Sequence, residues 1–361
     1  MEIPCLIQFG HGRHATMGGP VALKRFPHVF NNSMSHYSGG IMDSGYEKRS
    51  SQKQLKLSLG RCPTYDVALV KEQIGRLAEA VLLKPSSGSI CLIKPNLVTA
   101  GGPGFLACSQ PEFVAAVAEW CLDHGCRVVI GDSPAFGSAR RVMALSGIAE
   151  AVKHLDVTLV NFTRPVRVDL PGGQSAAIAR EALECDLLLN VPRVKAHSQL
   201  YVSLALKNYF GVVVGWRKAM HHARNGEMGN RFEELLVDLP GVLPPGFSIV
   251  DGIVAMHREG PMTGTPFQLG LIAVGEDPIA VDTALLEIIG ADPERSPLWL
   301  ECQRREMAGV NRSRIEFPLL KPADLAVEGF ELPDHLKPVT FHPGRMALGT
   351  LRRLKHYWSD H

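Results

Sequence analysis

The polar residues that could do chemistry in this chain stand where apolar runs end. CLIKPNLV carries Lys94 and Asn96 at the close of one such run, and Pro95 between them cannot donate a ladder hydrogen bond. TAGGPG follows at 99–104, where glycines can expose backbone N–H groups to an anion, although an ordinary surface turn would read the same way. RVVIGDSP repeats the arrangement with Asp132 and Ser133; an aspartate there serves either as a helix cap or as a ligand contact, and the two roles are compatible. The densest stretch is LLLNVPRVKAHSQLYVSLALKNYFG, with Asn190, Arg193, Lys195 and His197 after one strand, then Lys207 and Asn208 on the segment that follows. Just before Gly211, those last two also suit a helix C-terminus. DGIVAMHREGPMTGTP places Asp251 at a strand end, ahead of a loop through Gly260, Pro261 and Gly264 that is suited to lie over a ligand. In VGEDPIAVDTALLEIIG, Asp277 reads as a helix cap and Asp282, one turn on, as the better functional candidate.

Lys94, Lys195 and Lys207 form a positive group suited to carboxylate or phosphate, with Asn96, Ser133, Asn190, Asn208 and Gly260 as further substrate contacts. Lys195, His197 and Asp132 are the expected catalytic residues, with His197 moving a proton; Asp251 and Asp282 could hold a divalent metal or act as bases. The expected function is an enzyme acting on a small anionic metabolite, with metal-assisted and redox chemistry left open. A non-catalytic binding or accessory protein, working with a separate iron-sulfur redox partner, is the alternative. Cys108, after the glycine-rich loop, is a weaker candidate nucleophile at an expected surface position.

The elements that must position these residues alternate strand-like and helix-like runs, the order that gives parallel βαβ units. Strands are expected at 65–70, 89–98, 127–133, 157–162, 186–191, 247–251 and 269–274; helices at 71–83, 111–124, 176–184, 199–209 and from Pro278 through Gly290. The predicted fold is α/β: a mainly parallel sheet flanked by helices on both faces, in one large domain over 60–330. In such a sheet ligands bind outside the carboxyl ends of the strands, so the strand exits are the informative places. A continuous helix after His197 would carry Lys207 ~15 Å along its axis from His197, so those two need not touch the same ligand atom. Residues 1–59, rich in Gly, Ser and His without apolar periodicity, are expected to be a disordered extension, and 331–361 a peripheral tail with LRRLKHYW as a short surface helix.

Composition narrows the partners. A chain that is 45% hydrophobic and 20% charged can bury a large core, and 38 Lys and Arg against 36 Asp and Glu leave a net charge of only +2. That balance gives no argument for nucleic acid or an anionic membrane. The apolar runs fall far short of the roughly 20 residues that span a bilayer. Eight cysteines show neither a CxxC pair nor a ferredoxin-like run, so no resident iron-sulfur cluster is expected, and reduced thiols in apolar stretches suit the cytoplasm. GxGxxG after a first strand, GxxxxGK[ST] and GxSxG are all absent, which removes the standard dinucleotide, P-loop and hydrolase-elbow readings.

The ordered series KPNLV, GDSP, NVPRVKAHSQLYVSLALKNYFG, DGIVAMHREGPMTGTP and EDPIAVDTALLEIIG resembles the family called domain of unknown function 362, over roughly Lys94 to Gly290. The resemblance implies no particular reaction. Many members of that family join this domain to a ferredoxin-like cysteine module, which this sequence lacks. Typical members read Lys-Thr-His where this chain has Lys195, Ala196 and His197, so the lysine and histidine match and the threonine hydroxyl is lost.

Overall fold

The computed structural model of the chain describes residues 54–102, 104–214 and 230–337. The segment up to 53, expected to be disordered, and the stretch from 338 that includes LRRLKHYW lie outside the described residues. In chain order the elements that matter here are β1 (Leu55–Arg61), α1 (Val67–Ala80), β2 (Ile90–Pro95), α2 (Pro111–Asp123), β3 (Arg127–Asp132), α3 (Ala139–Ser146), α4 (Ile148–Ala151) and β4 (Val157–Asn161). A two-stranded excursion, β5 (Pro165–Asp169) and β6 (Ser175–Ala179), leads through α5 (Arg180–Leu183) to β7 (Leu187–Val191). Then follow β8 (Arg193–His197), β9 (Tyr201–Ser203), α6 (Ala205–Asn208), α7 (Arg231–Asp238), β10 (Gly246–His257), β11 (Thr265–Gly275), α8 (Pro278–Ile288), α9 (Pro297–Arg304) and β12 (Ile315–Glu316).

The main sheet runs β12-β1-β11-β10-β7-β2-β3-β4, with β8 continuing beside β10 and pairing β9. Its pairs are parallel except β1 with β11, β10 with β11, and β8 with β9. From β2 the chain steps outward through β3 to β4; from β7, on the other side of β2, it steps the opposite way to β10. The order therefore reverses between β2 and β7, and at such a reversal the loops diverge and leave a crevice above the strand ends.

Side chains alternate across the strands into two cores. Cys91, Ile93 and Ile249 meet α1, α2 and α3 on one face, while Leu57, Leu59 and Val250 meet α8 on the other. Several expectations are corrected. The first strand is 55–61 rather than 65–70, because Asp66 accepts a hydrogen bond from Leu69 N (2.8 Å) and starts α1. Residues 55–59, assigned by composition to the extension, thus belong to the sheet. Residues 331–337 are fastened too: Glu331 pairs with Arg258 (2.9 Å), and Lys337 N donates to Ser198 O (2.7 Å). The run 176–184 opens as strand before its helical turn.

The correction that matters most falls at 199–209. Instead of one helix, the chain turns back after His197 into β9, antiparallel to β8 with Lys195 opposite Ser203, and only then forms the short α6. Tyr201 takes a left-handed φ of 68°, which ends helical continuity there. The hairpin returns Lys207 toward the strand ends it would otherwise leave.

Candidate functional site

Three lysines converge above the β2/β7 reversal. Lys94, fully buried at the end of β2, lies opposite Asn190 of β7 and pairs with Asp132 Oδ1 at 3.3 Å, while also donating to Pro95 O (3.1 Å). Asp132 ends β3, and its other oxygen accepts from Leu97 N (3.0 Å), so one carboxylate ties the exits of β2 and β3 together. Ser133 N donates to Asp132 Oδ1 (2.7 Å) and to Gly211 O (3.1 Å). The cap reading of Asp132 is replaced: Ser138 caps the next helix, accepting from Arg141 N.

Lys195 on β8 is buried and donates to Asn96 Oδ1 and to Ala107 O (2.9 Å). A lysine amine bound this way donates, so Asn96 must turn its oxygen toward it. The amide nitrogen of Asn96 then faces Asn208 Oδ1 (3.0 Å), Asn208 Nδ2 faces Asn190 Oδ1 (2.8 Å), and Asn190 Nδ2 ends the chain on Ser248 Oγ (3.1 Å) and Ala205 O (3.0 Å). Three asparagines, drawn from two separate motifs, form one directional relay. This accounts for Asn208, which is not a helix cap.

Lys207 completes the cluster from α6. Its amine lies 4.9 Å from the ring centroid of Phe210 and 6.0 Å from that of Phe232, and it is less fully buried than the other two. Burial, reinforced by repulsion from Lys195 and Lys94, lowers the pKa of Lys207 to about 7. Burial holds Lys195 at about 7 as well, with Arg193 and Lys94 adding repulsion against partial relief from Cys108 and Asp132. Lys94 is pushed down by burial and pulled back by its partner Asp132. Asp132 is the carboxylate whose charge reaches all three.

Sequence reasoning missed the residue that makes this packing possible. Gly211 lies so close that a methyl group on it would land on Asp132 Oδ1 and on Lys94 Nζ and Cε. We expect Gly211→Ala to lower stability by about 1–3 kcal/mol, the usual cost of overpacking, read by denaturant titration. An unchanged midpoint would show that the pair can shift at no cost. Arg193 and Tyr65 were missed as supports. Arg193 donates to Cys108 O (3.2 Å) and Val254 O (2.8 Å), holding the loop whose Ala107 carbonyl receives Lys195.

His197 is on the same face of β8 as Lys195, two residues on, with Ala196 pointing to the other face. A threonine at 196 would therefore have directed its hydroxyl away from the lysine and histidine. His197 Nδ1 accepts from Gln199 N and Leu200 N, both at 3.1 Å, which puts the proton of a neutral ring on Nε2. Gly260 belongs to a loop pressed on β8, where a Cβ would strike Ala196 O, and Gly260 O accepts from Ser198 N (3.0 Å). The loop covers strand β8.

The proposed metal ligands do not converge. Asp251 Oδ1 accepts from Tyr65 OH (2.8 Å) and Ile253 N (3.3 Å) at the β10 bulge, while Oδ2 lies 3.9 Å from Arg193 Nε. Asp282 accepts from Ala205 N (2.7 Å) and Leu206 N (3.3 Å), anchoring the first turn of α6; burial raises its pKa to about 8 despite those bonds. Both aspartates fasten backbone, and no group of three or more His, Cys, Asp and Glu placed to hold a metal occurs among the described residues. Asp277 is the cap expected, accepting from Ile279 N and Ala280 N at 2.8 Å. Cys108 is corrected: it is 1% exposed, donates to Thr99 O, and burial raises its pKa, so it is no surface nucleophile.

The family model described as Domain of unknown function (DUF362) matches residues 91–287, a span that takes in every motif of the lysine cluster. The chain belongs to this family. A thylakoid-associated protein of Synechocystis sp. (strain ATCC 27184 / PCC 6803 / Kazusa) is 34% identical over 308 residues, covering 84% of this chain and 94% of that relative. Among solved structures, the lactate racemase apoprotein from Thermoanaerobacterium thermosaccharolyticum overlaps 67% of this DUF362 chain and 58% of its own length, at 11% identity and a TM-score of 0.41. A protein from Thermotoga maritima overlaps 59% of this chain and 56% of its own, at 11% identity and a TM-score of 0.39. No helix among the described residues of this family member is long and apolar enough to cross a membrane.

Proposed function

We propose that this DUF362 protein is an enzyme that binds a small organic anion at the lysine cluster beyond the ends of β2 and β7. Lys195, Lys207 and Lys94 hold the anion. The carrying observation is an imbalance of charge: three lysines are gathered at one site, and Asp132 is the carboxylate that reaches all of them. Buried positive charge without a counter-charge is costly, so the folded protein suppresses it by deprotonation, and an incoming carboxylate or phosphate removes the cost. Lys195 uses two of its three N–H donors on the protein, leaving the third for a ligand. His197 Nε2 is our candidate proton carrier, on the same strand face as Lys195. Asp132 positions Lys94 and the two strand exits rather than reacting.

A near-isosteric change tests the assignment. Lys195→Ala would open a hole and orphan Ala107 O, mixing stability with binding; Lys195→Met keeps the volume. A direct charge-assisted hydrogen bond is worth ~1.5–3 kcal/mol, so Lys195→Met should weaken binding of small dicarboxylates or phosphate at least about tenfold by calorimetry. Lys71→Met, which removes a surface pair with Glu119 and Asp123, should leave affinity unchanged. Equal effects from both variants would reduce the site to non-specific charge.

A further inference from the structure

We propose that Lys207 is a carbonyl-reactive amine, which forms an imine with a short 2-oxo acid whose carboxylate rests against Lys94 and Lys195. The inference deepens the anion-site reading and depends on it. It starts from how differently the three amines are engaged. Lys94 is held by Asp132 and Pro95 O, and Lys195 by Asn96 Oδ1 and Ala107 O. Among the described residues, no carboxylate, carbonyl or hydroxyl accepts a hydrogen bond from Lys207; its amine faces the rings of Phe210 and Phe232 and feels Lys195 and Lys94 beyond.

Desolvation and neighbouring cations are the two devices that keep a lysine neutral and nucleophilic near neutrality. Both act on Lys207, whose pKa of about 7 agrees with them. It is also the residue of the three that is only half-buried, whereas Lys94 and Lys195 are fully enclosed. The anion requirement sets the substrate class: a carboxylate bound by the other lysines presents a carbonyl one bond away to Lys207. The bound carboxylate favours the protonated amine, so addition proceeds from the fraction of Lys207 that is neutral, whose lone pair adds to the carbonyl carbon. The carbonyl oxygen takes one proton from the amine and one from solvent and leaves as water, and the C=N bond forms as a cationic iminium. No oxidant, reductant or metal enters the balance.

The test traps the iminium in the full-length protein. Glyoxylate plus sodium cyanoborohydride at pH 7.5 should add one carboxymethyl group per chain, mapped by peptide mass spectrometry to Lys207. Acetaldehyde, which lacks the carboxylate, should label Lys207 at least about tenfold more slowly. Lys71, whose pKa is raised by Asp123 and Glu119, is the internal control and should stay unlabelled on the same timescale. Lys207→Arg should abolish the adduct; if that variant fails to fold, the wild-type peptide map still decides. Labelling of Lys207 no faster than of surface lysines overturns the proposal. Oxalate binding measured alongside by calorimetry separates the two readings: binding without an adduct removes only the imine, whereas no binding removes the anion site as well.

Discussion

Replacing Asp132 with asparagine should destabilise the protein by about 3–5 kcal/mol, the usual cost of breaking a buried pair from one side. Lys94 is fully buried and Asp132 is 2% exposed, so water cannot substitute for the lost charge. The asparagine oxygen can still accept from Leu97 N, but its amide nitrogen then confronts two donors, Lys94 Nζ and Ser133 N. Lys94 can escape only by losing its proton, a direction burial already favours. Adding Lys94→Met to Asp132→Asn should therefore restore most of the lost stability, because it removes the stranded cation. A double variant as unstable as the sum of its parts would mean that the two residues are not coupled as the geometry implies.

Removing residues 1–59 should abolish cooperative unfolding, a larger effect still. The cut deletes most of β1, with its fully buried Leu57 and Leu59, and strips the strand that joins β11 to β12. It would leave the long β11 as an open edge over an exposed core, inviting aggregation. A chain starting at residue 54 keeps the strand and should melt cooperatively. Were the shorter chain to melt like the longer one, β1 would be an ornament of the sheet rather than part of it.

The strand exits were legible because a lysine or asparagine at the end of an apolar run has few structural excuses. KPN, GDS and NVPRVK each mark a real strand end, and the structure gathers all three above one reversal. β1 was hidden because LKLSLGR is short and directly follows a polar, glycine-rich stretch, so composition outweighed alternation. The placement of Lys207 was unreadable for a different reason. YVSLALKNYFG has helical apolar spacing, yet the backbone of α6 is captured at Ala205 and Leu206 by Asp282, a residue from a distant helix. For the same reason Asp282 and Asp251 looked like ligands. A carboxylate in an apolar run reads alike whether it meets a metal or a remote backbone N–H. Gly211 gave no signal beyond a helix stop, because its role depends on two side chains that arrive from β2 and β3.

The most direct test of the anion site is the proton count on binding. Lys195 and Lys207 have pKa values of about 7 in the empty protein, so both are largely neutral at pH 8 and largely protonated at pH 6. A bound anion favours the charged amines and raises those values, so binding at pH 8 must take protons up, whereas at pH 6 there is little left to take. Affinity should consequently fall as pH rises above 7. Oxalate binding to the full-length protein, measured calorimetrically in two buffers of different ionisation enthalpy, should show net uptake of about one proton or more per anion at pH 8 and close to none at pH 6. Oxalate binding with no proton uptake at pH 8, or with proton release, would contradict the account.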